Sequence, residues 1–187
     1  MAQLTFHNFM DYDDQVQVRG IIVPQEVYRN PQPYEPRPPV QFFVNNVLGI
    51  RLVDALAGDI AGLHAANRGV PLTHATRISC RINWPGFDPW NDSLHVNDNH
   101  IEPFTLSRLA QAIARTVHKF FTVSSNIKLF RHVKLAATVR QDNMHVRTRE
   151  RRMDWAVNDI PFESLYLLEL RHVSAGSWQP VVSRMVY

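Results

Sequence analysis

"FESLYLLELRHVSAGSWQPVVSRMVY" (162–187) is the stretch whose reading decides the fold. Two apolar-rich runs flank Ser174-Ala175-Gly176-Ser177, and Gly176 permits the reversal between them. The stretch reads as an antiparallel hairpin, with Trp178 packing inward against a helix. The helix it needs lies upstream, in "TLSRLAQAIARTVHKFFT" (105–122). Leu106, Leu109, Ala110, Ile113, Val117, Phe120 and Phe121 fall on one helical face, and Arg108, Gln111, Arg115 and Lys119 on the other. Thr105, directly after Pro103-Phe104, is placed to cap it.

Further upstream, "TRISCRIN" (76–83) alternates with period two. Ile78, Cys80 and Ile82 point one way and Arg77, Ser79 and Arg81 the other, as in a half-buried strand. "QVQVRGIIV" (15–23) and "QFFV" (41–44) read as further strands. Between them, 30–40 holds five of the twelve prolines, so it can be neither helix nor central strand. It reads as an extended surface crossing, with a proline-rich ligand for another domain as the alternative. After "QFFV", Asn45 or Asn46 is placed to cap a helix over 47–64, with a stripe of Ile50, Val53, Ala57, Ile60 and Leu63. Gly58 and Gly62 weaken that helix. Strands and helices are segregated along the chain. The expected fold is α+β: one domain over 1–187, an antiparallel sheet with a C-terminal meander of about four strands, and two helices on one face.

Composition sets the class. Apolar residues make up 45% and charged residues 20% of the 187, the balance of a globular chain and not of a disordered one. The start "MAQLTFHNFMDYDD" lacks a basic region followed by an apolar one, so no secretory signal is expected. No stretch is apolar for long enough to span a bilayer, so no membrane partner is expected. Cys80 is the single cysteine, which excludes an internal disulfide and favours the cytoplasm.

Two regions are candidates for function. In "CRINWPGFDPWNDSLHVNDNH" (80–100), Trp84-Pro85-Gly86-Phe87 ends a strand in a turn, and Trp84, Phe87 and Trp90 fold back over the core. The functional alternative is a small-ligand or sugar site, or an enzyme site, on the faces of Trp84 and Trp90. Asp92, His95, Asp98 and His100 are metal-ligand types, but their spacing matches no established zinc or calcium loop, so no metal or other cofactor is expected. Cys80, on the inward side of its strand, reads as a small hydrophobe. Ser177 lacks the G-x-S-x-G context of a nucleophile elbow, and the sequence contains neither a P-loop nor G-x-G-x-x-G.

The second region is basic. Lys128 to Arg152 holds eight Lys/Arg against Asp142 and Glu150, although the whole chain carries only +3. Read as a hairpin over 133–149 turning at Asp142-Asn143, it sets Val139 opposite Val146 and Ala137 opposite Thr148 on a core side. The other side then gathers Lys134, Arg140, Arg147, Arg149 and Arg151. Like charges opposite one another cost roughly 0.2–1 kcal/mol per pair and call for compensation. Water with acids such as Asp154, Asp159, Glu163 or Glu169 is the plainest source. A protein partner, or a second copy supplying Asp11, Asp13 and Asp14, is next. Phosphate, from nucleic acid or a smaller anion, comes last, because the hairpin has no aromatic on which a base could stack.

Two boxes, "INWPGFDPW" (82–90) and "HVSAGSWQP" (172–180), stand either side of the 105–122 helix. The set, over roughly 76–187, resembles a family of uncharacterised intracellular proteins of mushroom-forming fungi. The resemblance implies a fungal, cytoplasmic, single-domain protein and carries no catalytic or binding residue. The function expected from all of this is a non-enzymatic binding or assembly protein that self-associates or docks a protein partner. The alternatives are a phosphate- or nucleic-acid-binding protein using residues 133–151, and a small-ligand binder or enzyme using 84–100.

Overall fold

The computed structural model describes residues 17–29, 32–70, 72, 76–96, 104–136 and 155–186, with main chain alone for 126–136. At its centre are β8 (Leu165–Ser174) and β9 (Ser177–Arg184), the hairpin expected from 162–187, paired antiparallel around Ala175-Gly176. β6 (Arg77–Ile82) lies parallel to the start of β9, and β7 (Trp90–His95) closes that edge antiparallel to β6. β1 (Ile21–Ile22) pairs with the end of β9. On the far side of β8 run β2 (Val40–Gln41) and β5 (Ile50–Arg51). Among the described residues, seven strands thus form one mostly antiparallel sheet, and β3 (Phe43–Val44) with β4 (Val47–Leu48) form a small second one.

Both helices, α1 (Leu52–Ala57) and α2 (Leu106–Ala136), bury residues in one core with the inward side chains of the large sheet. The stripe predicted for 105–122 is buried as expected, from Leu106 through Phe121. Thr105 caps it: its hydroxyl accepts from Arg108 N–H at 3.4 Å. The helix does not stop at 122, because nothing in 123–136 breaks a helix: neither glycine nor proline occurs there. It runs to Ala136, so residues 133–136 are helical and not the start of a strand. The rest of the expected 133–149 hairpin lies outside the described residues.

The larger correction concerns 47–64. The helix there spans only Leu52–Ala57 and buries Leu52 and Ala55 instead of the predicted stripe. Asn45 and Asn46 do not cap it. Both have positive φ, 50° and 64°, and form the two-residue turn of the β3–β4 hairpin. Paired positive φ is the turn geometry whose twist suits a hairpin, and asparagine tolerates it. Gly58, at φ 80°, then ends the helix in the left-handed conformation.

The opposite face of the sheet is covered too. Leu48, Tyr166, Leu168 and Val181 form a second buried cluster under Val18, Ile22, Phe43 and Met185. This is why β8 is apolar on both of its faces. Glu169, 2% exposed, sits on that strand in an ion pair with Arg171. It therefore has a partner already and is not spare acid for a basic face elsewhere.

β9 contains Pro180, an unusual residue for a central strand. The Pro180 carbonyl accepts from Gln25 Nε2 at 2.7 Å, so this residue turns its main chain away from β8, into the gap between β1 and β6. The N–H that proline lacks would have pointed into that gap, where no strand waits for it. The Gln25 amide fills the space like a short piece of strand, its Oε1 accepting from Asn83 N–H at 3.1 Å.

Candidate functional site

The expected tryptophan site is divided by the fold. Trp84 is 1% exposed and donates from Nε1 to the Trp155 carbonyl at 2.7 Å. Its ring packs against Phe120, Phe121 and Trp155, so it is a core side chain with no open face. Phe87 and Trp90 also fold back onto Phe120, as the sequence led one to expect. Trp90 is half-buried and opens β7, under Lys119 at 5.9 Å. Over 84–96, what looked like a loop is a turn followed by a strand. On that strand Asp92 faces α2 and binds Lys119 at 3.1 Å, while His95 is exposed. Their odd spacing puts them on opposite faces, so they cannot share a metal. Asp98 and His100 lie outside the described residues, and among the described ones no group of three or more such side chains converges.

Cys80 is fully buried, and burial together with Asp92 pushes its thiol up to about 12. A neutral, enclosed thiol is no nucleophile at physiological pH. Of the basic-face residues, Lys134 stands in the last turn of α2, off any sheet, and Arg140, Arg147, Arg149 and Arg151 lie outside the described residues.

The arrangement that does gather chemistry is a groove of about 570 Å³ at the free edge of β2. It exists because a third strand starts there and breaks off. Residues 62–64 pair with β3: Asn45 N–H donates to the Gly62 carbonyl, and His64 N–H to the Phe43 carbonyl at 2.8 Å. One residue later the pairing ends. Ala65 has φ 56°, a left-handed value costly for a residue with a Cβ, and it turns the chain away from the edge. Arg68 N–H then bonds the Ala65 carbonyl, and the turn docks on the start of α2. There Leu106 N–H donates to the Arg68 carbonyl and Ser107 N–H to that of Ala66. The helix N-terminus is thus satisfied by this turn.

The gap left open is lined by β2. Phe42 N–H donates to the Leu168 carbonyl at 3.0 Å, so Phe42 turns its main chain toward β8. Alternation then turns the N–H and C=O of Gln41 the other way, into the groove it lines. The floor is apolar, from Val40, Phe43, Val70 and Leu106; the charged rim is Arg37 and Arg68, with His64 beside them and no acid in the lining. Arg37 is held in place, its guanidinium donating to the Leu72 carbonyl at 2.7 Å. A smaller hollow of about 100 Å³ near Arg19 and Arg51 also contains Asp54 and Asp59, so its charges offset one another.

His172 holds the wall of the groove. Its Nδ1 accepts from Arg37 N–H at 3.2 Å, and its ring lies between Trp178 and Tyr34. Burial, and secondarily the Arg37 charge, lower its pKa from the ordinary 6.5. An imidazole that accepts at Nδ1 must be neutral there. The folded protein therefore binds fewer protons than the unfolded chain. The contribution is complete above pH 6.5 and is lost as pH falls through the lowered folded value. Chemical denaturation of the wild type is expected to show stability declining below pH 6.5. In His172→Asn, which keeps an acceptor without a titration, that part of the decline should vanish; an identical slope in both proteins would refute it.

The sequence reading missed this groove. Its lining comes from separated segments, and the only local signals were Arg37 set among prolines and the Asn45-Asn46 pair. No family model, curated protein or solved structure matches the chain. No helix among the described residues is long and apolar enough to cross a membrane.

Proposed function

We propose that this chain is a non-enzymatic docking protein whose groove receives an extended, acidic segment of a protein partner. One observation carries the reading: Gln41 presents its main-chain amide and carbonyl to a groove whose charged rim is wholly cationic. An exposed strand edge is a template for another strand. Main-chain pairing supplies affinity in such complexes, and the pockets beside the strand select side chains. Aliphatic side chains of the partner would rest on Val40 and Leu106, and its carboxylates would meet Arg68 and Arg37. An intracellular, cytoplasmic setting in a mushroom-forming fungus belongs to the same proposal. It is supported by the resemblance of 82–90 and 172–180 and by the lone cysteine.

The test uses a fluorescein-labelled peptide of alternating valine and aspartate, with a valine–lysine peptide as control. Fluorescence anisotropy should show binding of the acidic peptide only. Gln41→Pro removes the edge donor without touching the bond from Phe42 to β8, and it should weaken binding about tenfold, as expected for one lost hydrogen bond. Equal binding of both peptides, or no effect of Gln41→Pro, would contradict the reading.

A further inference from the structure

The groove asks for a segment rich in acidic and apolar side chains, and the sequence contains one. Residues 4–14 contain Asp11, Asp13 and Asp14 together with Leu4, Phe6, Phe9 and Tyr12. The question is which groove that segment can reach.

The first described residues answer it. Val18 pairs with Leu48 in parallel, and Leu48 N–H donates to the Gln17 carbonyl at 3.2 Å. Moving upstream from Val18 therefore means moving along β4 toward the Asn45-Asn46 turn. Gln41 lies at the other end of that hairpin, beyond Phe43. The three aspartates are three to six residues upstream of Gln17, a reach of at most about 20 Å. To enter its own groove, the segment would have to reverse around the hairpin tip within that length. The segment of a second copy, free to approach the groove from outside, needs no such reversal.

We propose that the N-terminal segment of a second copy of this chain occupies the groove, so that the protein self-associates by exchanging acidic segments. The inference rests on the docking reading above and names its partner. The second copy contributes the strand that the turn at Ala65 leaves missing. Its aspartates meet Arg37, His64 and Arg68, and its apolar side chains cover Val40 and Leu106. Two copies donating to one another close the assembly with two equivalent contacts.

Sedimentation velocity on the full chain tests this at two salt concentrations. The wild type should associate as concentration rises, and less so in high salt. Arg68→Glu should be monomeric, and so should the triple variant Asp11→Lys/Asp13→Lys/Asp14→Lys. Circular dichroism confirms that both are folded. Mixing the two variants should restore association, because each groove then meets a segment of opposite charge. A wild type that stays monomeric at every concentration overturns the inference, as does a mixture of folded variants that fails to associate. If the wild type is monomeric yet binds the valine–aspartate peptide, only the choice of partner is wrong. If it does neither, the docking reading falls as well.

Discussion

Trp84→Ala is expected to destabilise the protein by about 3–5 kcal/mol, the range for removing a large aromatic from a packed interior. Trp84 is among the largest fully buried side chains, and three aromatic rings pack against it. Removing it also leaves the Trp155 carbonyl without the indole donor. The loss is thus both a cavity and an unpaired buried acceptor, and in a domain of this size it is a large share of total stability. Urea denaturation read by far-ultraviolet circular dichroism measures it. Trp84→Phe separates the two parts, since it keeps most of the volume and removes only the donor; its cost should be less than half as large. A loss below about 1 kcal/mol for Trp84→Ala would mean that the ring is not the centrepiece of the core.

Gly20→Ala is the second large effect, and it acts through the main chain. Gly20 has φ 76°, and a Cβ built there would stand 2.3 Å from the carbonyl oxygen of Arg184. The obstacle is backbone of the central strand β9, which cannot rotate aside. Strain at a left-handed position and enforced overpacking each cost about 1–3 kcal/mol, so a loss of about 3 kcal/mol is expected. The damage should be local, because β1 and Val23 hold to β9 through two residue pairs, the Val23 N–H donating to the Val182 carbonyl, and the Ser183 hydroxyl donating to the Arg19 carbonyl. Amide exchange in Ile21, Ile22 and Val23 should accelerate well before that of β8. Unchanged exchange there, with unchanged stability, would contradict the close approach of the two backbones.

The parts of the fold legible in the sequence are those with a strict period. Ile78, Cys80 and Ile82 alternate with polar neighbours, and β6 buries all three. The α2 stripe repeats over four turns, and each of its members is buried. The segment 47–64 shows the opposite case. Ile50, Val53, Ala57, Ile60 and Leu63 match a helical stripe by coincidence, while Asn45-Asn46 just before it and three glycines within it make a hairpin, a short helix and turns instead. In a short segment those punctuating residues outweigh periodicity, because each fixes a backbone angle that no helix adopts.

The groove was illegible for a different reason. Arg37, Gln41 and Arg68 come together only because residues 62–64 pair with β3 and Ala65 then turns away. No spacing within any one segment encodes that meeting. The tryptophan box, conversely, was conspicuous because aromatic residues are conspicuous. Its purpose in the folded chain is to seal α2 onto the edge of the sheet.

The most direct measurement is amide exchange at Gln41, followed by NMR with and without the valine–aspartate peptide. Phe42 N–H, bonded to Leu168, should exchange slowly throughout. Gln41 N–H should exchange quickly in the free monomer and at least about tenfold more slowly once the peptide pairs with it. Peptide binding that leaves Gln41 exchange unchanged, with new protection confined to β6 or β7, would contradict the claim that the broken edge is where partners dock.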